Sequence, residues 1–159
     1  MTAMAAGPTN VVAAGRFEPA GILIRAAAAI IDTIISAVPA VPVGILSAAI
    51  LGYSTGSIRA AEVGLGAGIY SAVFAYFWFV TAIGGGRGMR TAGLRIVRWE
   101  DGAKPGPRVA LGRVFLSSLA SFAMLALVDY GWALFDPQKR TLHDKLAGTI
   151  VVYWTSCSQ

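Results

Sequence analysis

Charged side chains are scarce in this chain. Asp, Glu, Lys and Arg together supply 13% of its 159 residues, where an ordinary soluble domain carries about a quarter. So low a fraction excludes a disordered charged tail and a charge-rich coiled coil. Cysteine is confined to Cys157, which rules out an internal disulfide and a thiolate metal centre. Two residues follow that cysteine, so it is also misplaced for a prenylation box, which needs it fourth from the end. Histidine is confined to His143, and no serine stands in a Gly-x-Ser-x-Gly setting; hydrolase chemistry of the triad kind has almost nothing to work with. Met1 to Gly15 hold no Lys or Arg and so lack the basic start of a secretory signal. Residues 1–16 and 155–159 read as flexible tails.

What is present is apolar surface. Hydrophobic residues make up 56% of the chain and the mean hydropathy is +0.66, the profile of a small integral membrane protein rather than a soluble domain. Three apolar segments stand out, at about 20–38, 63–83 and 114–135. Pro39 and Pro42 are expected to break or kink the first. Beyond them Val43 to Tyr53 is open to three interpretations: an extension of the first helix, a re-entrant piece, or a short span, since about eleven residues cover barely half a bilayer. Ser54 to Glu62 reads as a polar linker. In the second segment Gly64 and Gly68 form a small-xxx-small pair that lets another helix approach, and Tyr76-Phe77-Trp78-Phe79 has the composition of an interfacial belt.

The net charge of +5 raises the question of nucleic acid. Its distribution answers against it. Seven of the thirteen basic residues, Arg87, Arg90, Arg95, Arg98, Lys104, Arg108 and Arg113, fall between Gly84 and Arg113, as expected of a cytoplasmic loop facing anionic inner-leaflet lipids. A single-strand binding surface would want several stacking aromatics, and Trp99 stands alone there. Within the loop, Gly84-Gly85-Gly86-Arg87-Gly88 lacks the Lys-Ser/Thr of a phosphate loop and reads as a flexible turn. Leu94 to Arg98 and Thr149 to Tyr153 read as short strands, and their pairing would place the basic loop and the polar tail on one face. Three full crossings would instead separate the basic loop from the Lys139-Arg140 tail, and the positive-inside tendency favours the tail on the cytoplasmic side.

A few charges sit where a membrane should exclude them. Arg25 and Asp32 are seven residues apart in the first apolar segment, two helical turns and about 10.5 Å along the axis, on one face. Arg25 can snorkel to the headgroups, whereas the short Asp32 side chain needs a partner, a proton or a cation. An interior contact fixing how helices meet and a transport or proton-relay role are both open to this pair. Asp129, beside Tyr130 and Trp132, is explained by an interfacial position. His143 and Asp144 are adjacent, so they diverge on a helix and make a poor metal pair.

Arg25, Asp32 and the late run Arg140-Thr141-Leu142-His143-Asp144-Lys145-Leu146-Ala147-Gly148-Thr149-Ile150-Val151-Val152 together resemble the RDD family of bacterial membrane proteins. That family is named for one arginine and two aspartates, which the resemblance places on Arg25, Asp32 and Asp144. Gly88-Met89-Arg90-Thr91-Ala92-Gly93-Leu94-Arg95-Ile96-Val97 is similar to the family's middle stretch, and departs from it where a Gly-Lys pair would stand. Asp101-Gly102 and Arg113 fit the next turn and helix start. The resemblance implies a multi-span inner-membrane domain, with transport proposed and sodium/proton exchange described for some members.

The resulting expectation is an all-α membrane protein. It would be a bundle of three transmembrane helices, or four if Val43 to Tyr53 crosses separately, with a small cytoplasmic strand-containing cap over residues 84–113 and the tail. Arg25, Asp32 and Asp144 would converge near the inner leaflet, supported by Arg113, Asp129, Arg140 and His143. No cofactor or metal is expected, and the expected partners are the bilayer, anionic lipids and either further copies of the chain or a larger membrane complex. The function expected is non-enzymatic: movement of a small ion or solute, or service as an accessory subunit.

Overall fold

A computed structural model describes residues 17–122 and 126–154; the two tails expected at 1–16 and 155–159 lie outside the described residues. Two long helices dominate. The first, α1, runs unbroken over Ile22–Thr55, and the second, α2, over Ile58–Ala82. They form an antiparallel hairpin joined by Gly56 and Ser57, with Gly56 in the left-handed conformation at the end of α1 and Ser57 accepting a hydrogen bond from the Ala60 amide. The polar linker expected at Ser54 to Glu62 is therefore two residues long, and Arg59 and Glu62 are helical.

Pro39 and Pro42 do not end α1, contrary to expectation. Each removes one ladder hydrogen bond, but Ser36, Ala40 and Gly44 around them are buried, and packing against α2 holds the helix through that gap. Such prolines are tolerated in apolar helices whose neighbours support the backbone. Val43 to Tyr53 is thus the second half of α1. The hairpin closes where side chains are smallest: a Cβ on Gly68 would meet Ser47 Oγ at 2.6 Å and Gly44 Cα at 2.9 Å, and one on Gly64 the Ser47 carbonyl oxygen at 2.6 Å. The Gly64–Gly68 pair faces α1.

The described residues of the expected third segment belong to α4, Gly106–Phe122, and α5, Ala126–Phe135. Among the described residues, two helices are long and apolar enough to cross a membrane, and 17% of each apolar window is buried. A soluble protein's core helix would be mostly enclosed. The outward faces carry Leu23, Ile30, Ile34, Val38 and Ile45, all more than half exposed.

At the open end of the hairpin sits a small cap. After α2 come the short helix α3, Arg87–Thr91, and strand β1, Leu94–Arg98; after α5 come the short helix α6, Leu142–Leu146, and strand β2, Thr149–Tyr153. The strands pair antiparallel with Leu94 opposite Tyr153 and Arg98 opposite Thr149. The other edge of β2 is taken by the chain entering α1: Tyr153 donates to the Glu18 carbonyl and Ala20 to that of Val151, both at 3.0 Å. Paired on both edges, β2 is buried along Thr149 to Val152. The basic loop and the tail thus share one end of the molecule.

Candidate functional site

Asp144 is the centre of the cap. Thr141 starts α6 with a capping box, in which its hydroxyl accepts from the Asp144 amide while the Asp144 carboxylate accepts from the Thr141 amide. The same carboxylate reaches out of its helix. Oδ1 accepts from Arg113 Nη1 of α4 and from Thr149 Oγ1 of β2 at 3.4 Å; Oδ2 accepts from Arg25 Nη1 of α1 at 3.2 Å. Two donors on each oxygen use its full acceptor capacity. Burial alone would push this carboxyl up, but the charges of Arg113, His143 and Arg25 outweigh it and hold it at about 2. Arg25 also donates through Nη2 to the Val151 carbonyl at 2.9 Å. One aspartate therefore ties α1, α4, α6 and β2 together.

Asp32 belongs to a different contact. It is buried, and among the described residues it has no ion pair. Oδ1 accepts from the Gly88 amide at 2.9 Å and Tyr76 Oη at 3.1 Å, and Oδ2 from the Met89 amide at 3.3 Å. The backbone amides at the start of α3 supply positive partial charge in place of a cation. The glycine run expected to be a flexible turn is in fact a fitted cradle. A Cβ on Gly86 would run into the Asp32 carboxylate, and one on Gly88 into the Ala28 carbonyl oxygen.

The remaining expected residues gather around α6. Asp129 is buried within the protein: it accepts from the His143 amide at 2.9 Å and pairs with His143 Nδ1 at 2.5 Å. Tyr130 meets the His143 ring edge to face, with centroids 6.2 Å apart, and Lys145 lies over the Trp132 ring at 5.3 Å. Arg140 donates through Nε to the Thr149 carbonyl at 3.2 Å and lies over the Trp99 ring at 4.2 Å. Burial pushes its guanidinium below the usual arginine value, with Asp144 and Asp136 partly offsetting that. Arg25, Arg113, Asp144, His143, Asp129 and Arg140 thus form one buried network, with Asp32 beside it. Among the described residues no group of three His, Cys, Asp or Glu side chains could hold a metal.

Next to this network is a half-open cavity of about 530 Å³ between the hairpin and α4, α5 and α6, within the range of small-molecule sites. Arg113 and His143 contribute its polar end; Phe74, Phe77, Val73 and Val114 give apolar wall; Ser117, Ser118 and Ser121 of α4 add hydroxyls. Arg113, Ser117 and Ser121 recur every fourth residue and so share a face of α4, rising about 12 Å from the network. These serines carry no motif of their own. The signal was there in the i, i+4, i+8 spacing within an otherwise apolar run.

The chain resembles known proteins over most of its length. It is 32% identical over 147 residues to the uncharacterized protein YckC of Bacillus subtilis (strain 168), covering 87% of each chain. No solved structure matches it. The RDD family profile matches residues 19–148, from the strand-like entry into α1 to the turn before β2. The chain belongs to the RDD family.

Proposed function

We propose that this protein is a multi-pass inner-membrane protein that receives a small solute in the cavity beside α4, the cap lying on the cytoplasmic side. Two apolar helices and membership of the RDD family mark an integral membrane protein. In the arrangement we propose, α1 and α2 cross the bilayer, while α4 and α5 enter it and return. The concentration of Arg87, Arg90, Arg95, Arg98, Lys104 and Arg108 at the cap end supports that orientation, facing anionic inner-leaflet lipids.

Length supports a bounded role for Arg25 and Asp32. Gly52 of α1 packs on Ala61 of α2, level with Arg59 and Glu62, whose charges mark the far interface. A hydrocarbon core takes about 20 helical residues, and twenty residues back from Gly52 is Asp32. Asp32 then sits near the inner boundary, and Arg25 within the cap. Both are held by protein partners, so they lock the cap onto the hairpin. A cation/proton exchanger working on Asp32 would need that carboxylate open to water, whereas its oxygens already accept from three donors.

The observation that carries the solute-binding role is the cavity itself, with hydroxyls rising along α4 from Arg113. The charge network supports a second role, an accessory subunit of a larger membrane complex or homo-oligomer, because its buried acids are satisfied within the chain. Thiol labelling separates the two. In a Cys157→Ser background, Ser117→Cys and Ser121→Cys are exposed to a membrane-impermeant maleimide in inside-out vesicles, with Leu119→Cys, on the outward face of α4, as the control. Labelling at 117 and 121 but not at 119 is expected. Protection of all three would leave the cavity closed and favour the accessory role.

A further inference from the structure

The lining of the cavity has a consistent chemical sign. Among the described residues it contains one permanent cation, Arg113, together with His143 and the hydroxyl side chains of Ser117, Ser118 and Tyr130, and no carboxylate. The neighbouring acids are held by other groups: Asp144 by Arg113, Asp129 by His143, and Asp32 by the amides of Gly88 and Met89. Both hydrogen bonds that Arg113 makes leave from Nη1, to Asp144 and to Thr149 Oγ1 at 2.5 Å. Its Nε and Nη2 have no protein acceptor among the described residues, although the side chain is 9% exposed.

The rest of the wall is of another kind. Phe74, Phe77, Val73 and Val114 offer a broad apolar surface next to the polar end. A simple hydrated ion has no use for such a wall, and a neutral hydrocarbon would leave the Arg113 donors unmet. We propose that the cavity takes an anionic amphiphile, with its phosphate or carboxylate head at Arg113 and Ser117 and its tail against Phe74 and Phe77. A charge-assisted hydrogen bond from a guanidinium whose other face is fixed on Asp144 gives the head a preorganised partner. The proposal rests on the solute-binding role of this cavity and names the class of its ligand.

The test uses the purified full-length protein in a neutral maltoside detergent, with binding followed by native mass spectrometry and by the shift in thermal midpoint. The probes are dodecyl phosphate, dodecyltrimethylammonium and inorganic phosphate. Saturable binding of dodecyl phosphate is expected, at least about tenfold tighter than either of the others. Ser117→Leu, which fills the cavity without touching the ion pairs, should weaken it by about tenfold or more while retaining the wild-type helical spectrum. Arg113→Lys keeps a cation at the head and should weaken it less. Equal binding of the cationic amphiphile, or undiminished binding to Ser117→Leu, would overturn the proposal, and inorganic phosphate binding as tightly as dodecyl phosphate would replace the amphiphile with a free anion. Maleimide labelling at 117 and 121 together with no preference for dodecyl phosphate would defeat this proposal alone; absence of labelling defeats the cavity's role itself.

Discussion

Arg25, in the first turn of α1, donates to Asp144, 119 residues further along the chain, at 3.2 Å, with both side chains buried. This contact spans nearly the whole sequence and joins the hairpin to the cap. Asp144 answers two arginines at once, and its removal leaves both buried without an anion. Breaking a buried pair from one side costs about 3–5 kcal/mol. Asp144→Asn should therefore lower the thermal midpoint sharply in detergent, read by tryptophan fluorescence. Asp101→Asn, which breaks the exposed pair with Arg98, should leave it unchanged. Matching midpoints for the two variants would remove Asp144 from the centre of the fold.

The same carboxylate sets an acid limit. Its folded value of about 2 lies below the ordinary aspartate value of about 3.9. The stabilisation is thus complete above about pH 5 and is lost as pH falls through 4 and past 2, about 3 kcal/mol in all. Acid unfolding of the wild type should show a step in that window. Asp144→Asn should lack it.

At the Asp32 cradle, adding one methyl is the informative change. Gly88→Ala drives a Cβ into the Ala28 carbonyl, and overpacking of this kind costs about 1–3 kcal/mol. Gly112→Ala adds the same methyl on α4, where nothing lies within 4 Å, and should be neutral or stabilising by up to about 1 kcal/mol. Comparable midpoints for the two would show that α3 does not press on α1.

A parallel comparison probes the hairpin. Gly68→Ile should separate α1 from α2, because a Cβ there already meets Ser47 and Gly44. Gly66→Ile faces open space and should be tolerated. The expected readout is lost yield and a lowered midpoint for the first substitution only. Equal loss in both would mean that bulk in α2, rather than contact with α1, is what the protein rejects.

Much of the fold was legible because the bilayer imposes simple rules on sequence. Low charge, long apolar runs and two five-residue strand patterns mark the hairpin and the cap, and the Arg25, Asp32 and Asp144 motifs mark the family. The prolines misled, because a proline's local cost is fixed while the packing of Ala40 and Gly44 that offsets it comes from residues far along the chain. The partner of Asp129 was not legible either: His143 lies fourteen residues further along the chain and is brought to it only by the packing of α6 on α5.

By itself, the sequence determined that this chain is apolar, where its basic charge collects, and which few ionisable residues stand in apolar company. Those properties are sums and spacings along the chain. The tertiary structure alone decided the pairing. Arg25 and Asp32 share a helix face, yet the first meets Asp144 and the second meets the amides of Gly88 and Met89. A side chain's partner depends on which distant backbone arrives within about 3 Å of it, and the cavity beside Arg113 arises the same way, as the space that the hairpin and α4, α5 and α6 fail to fill.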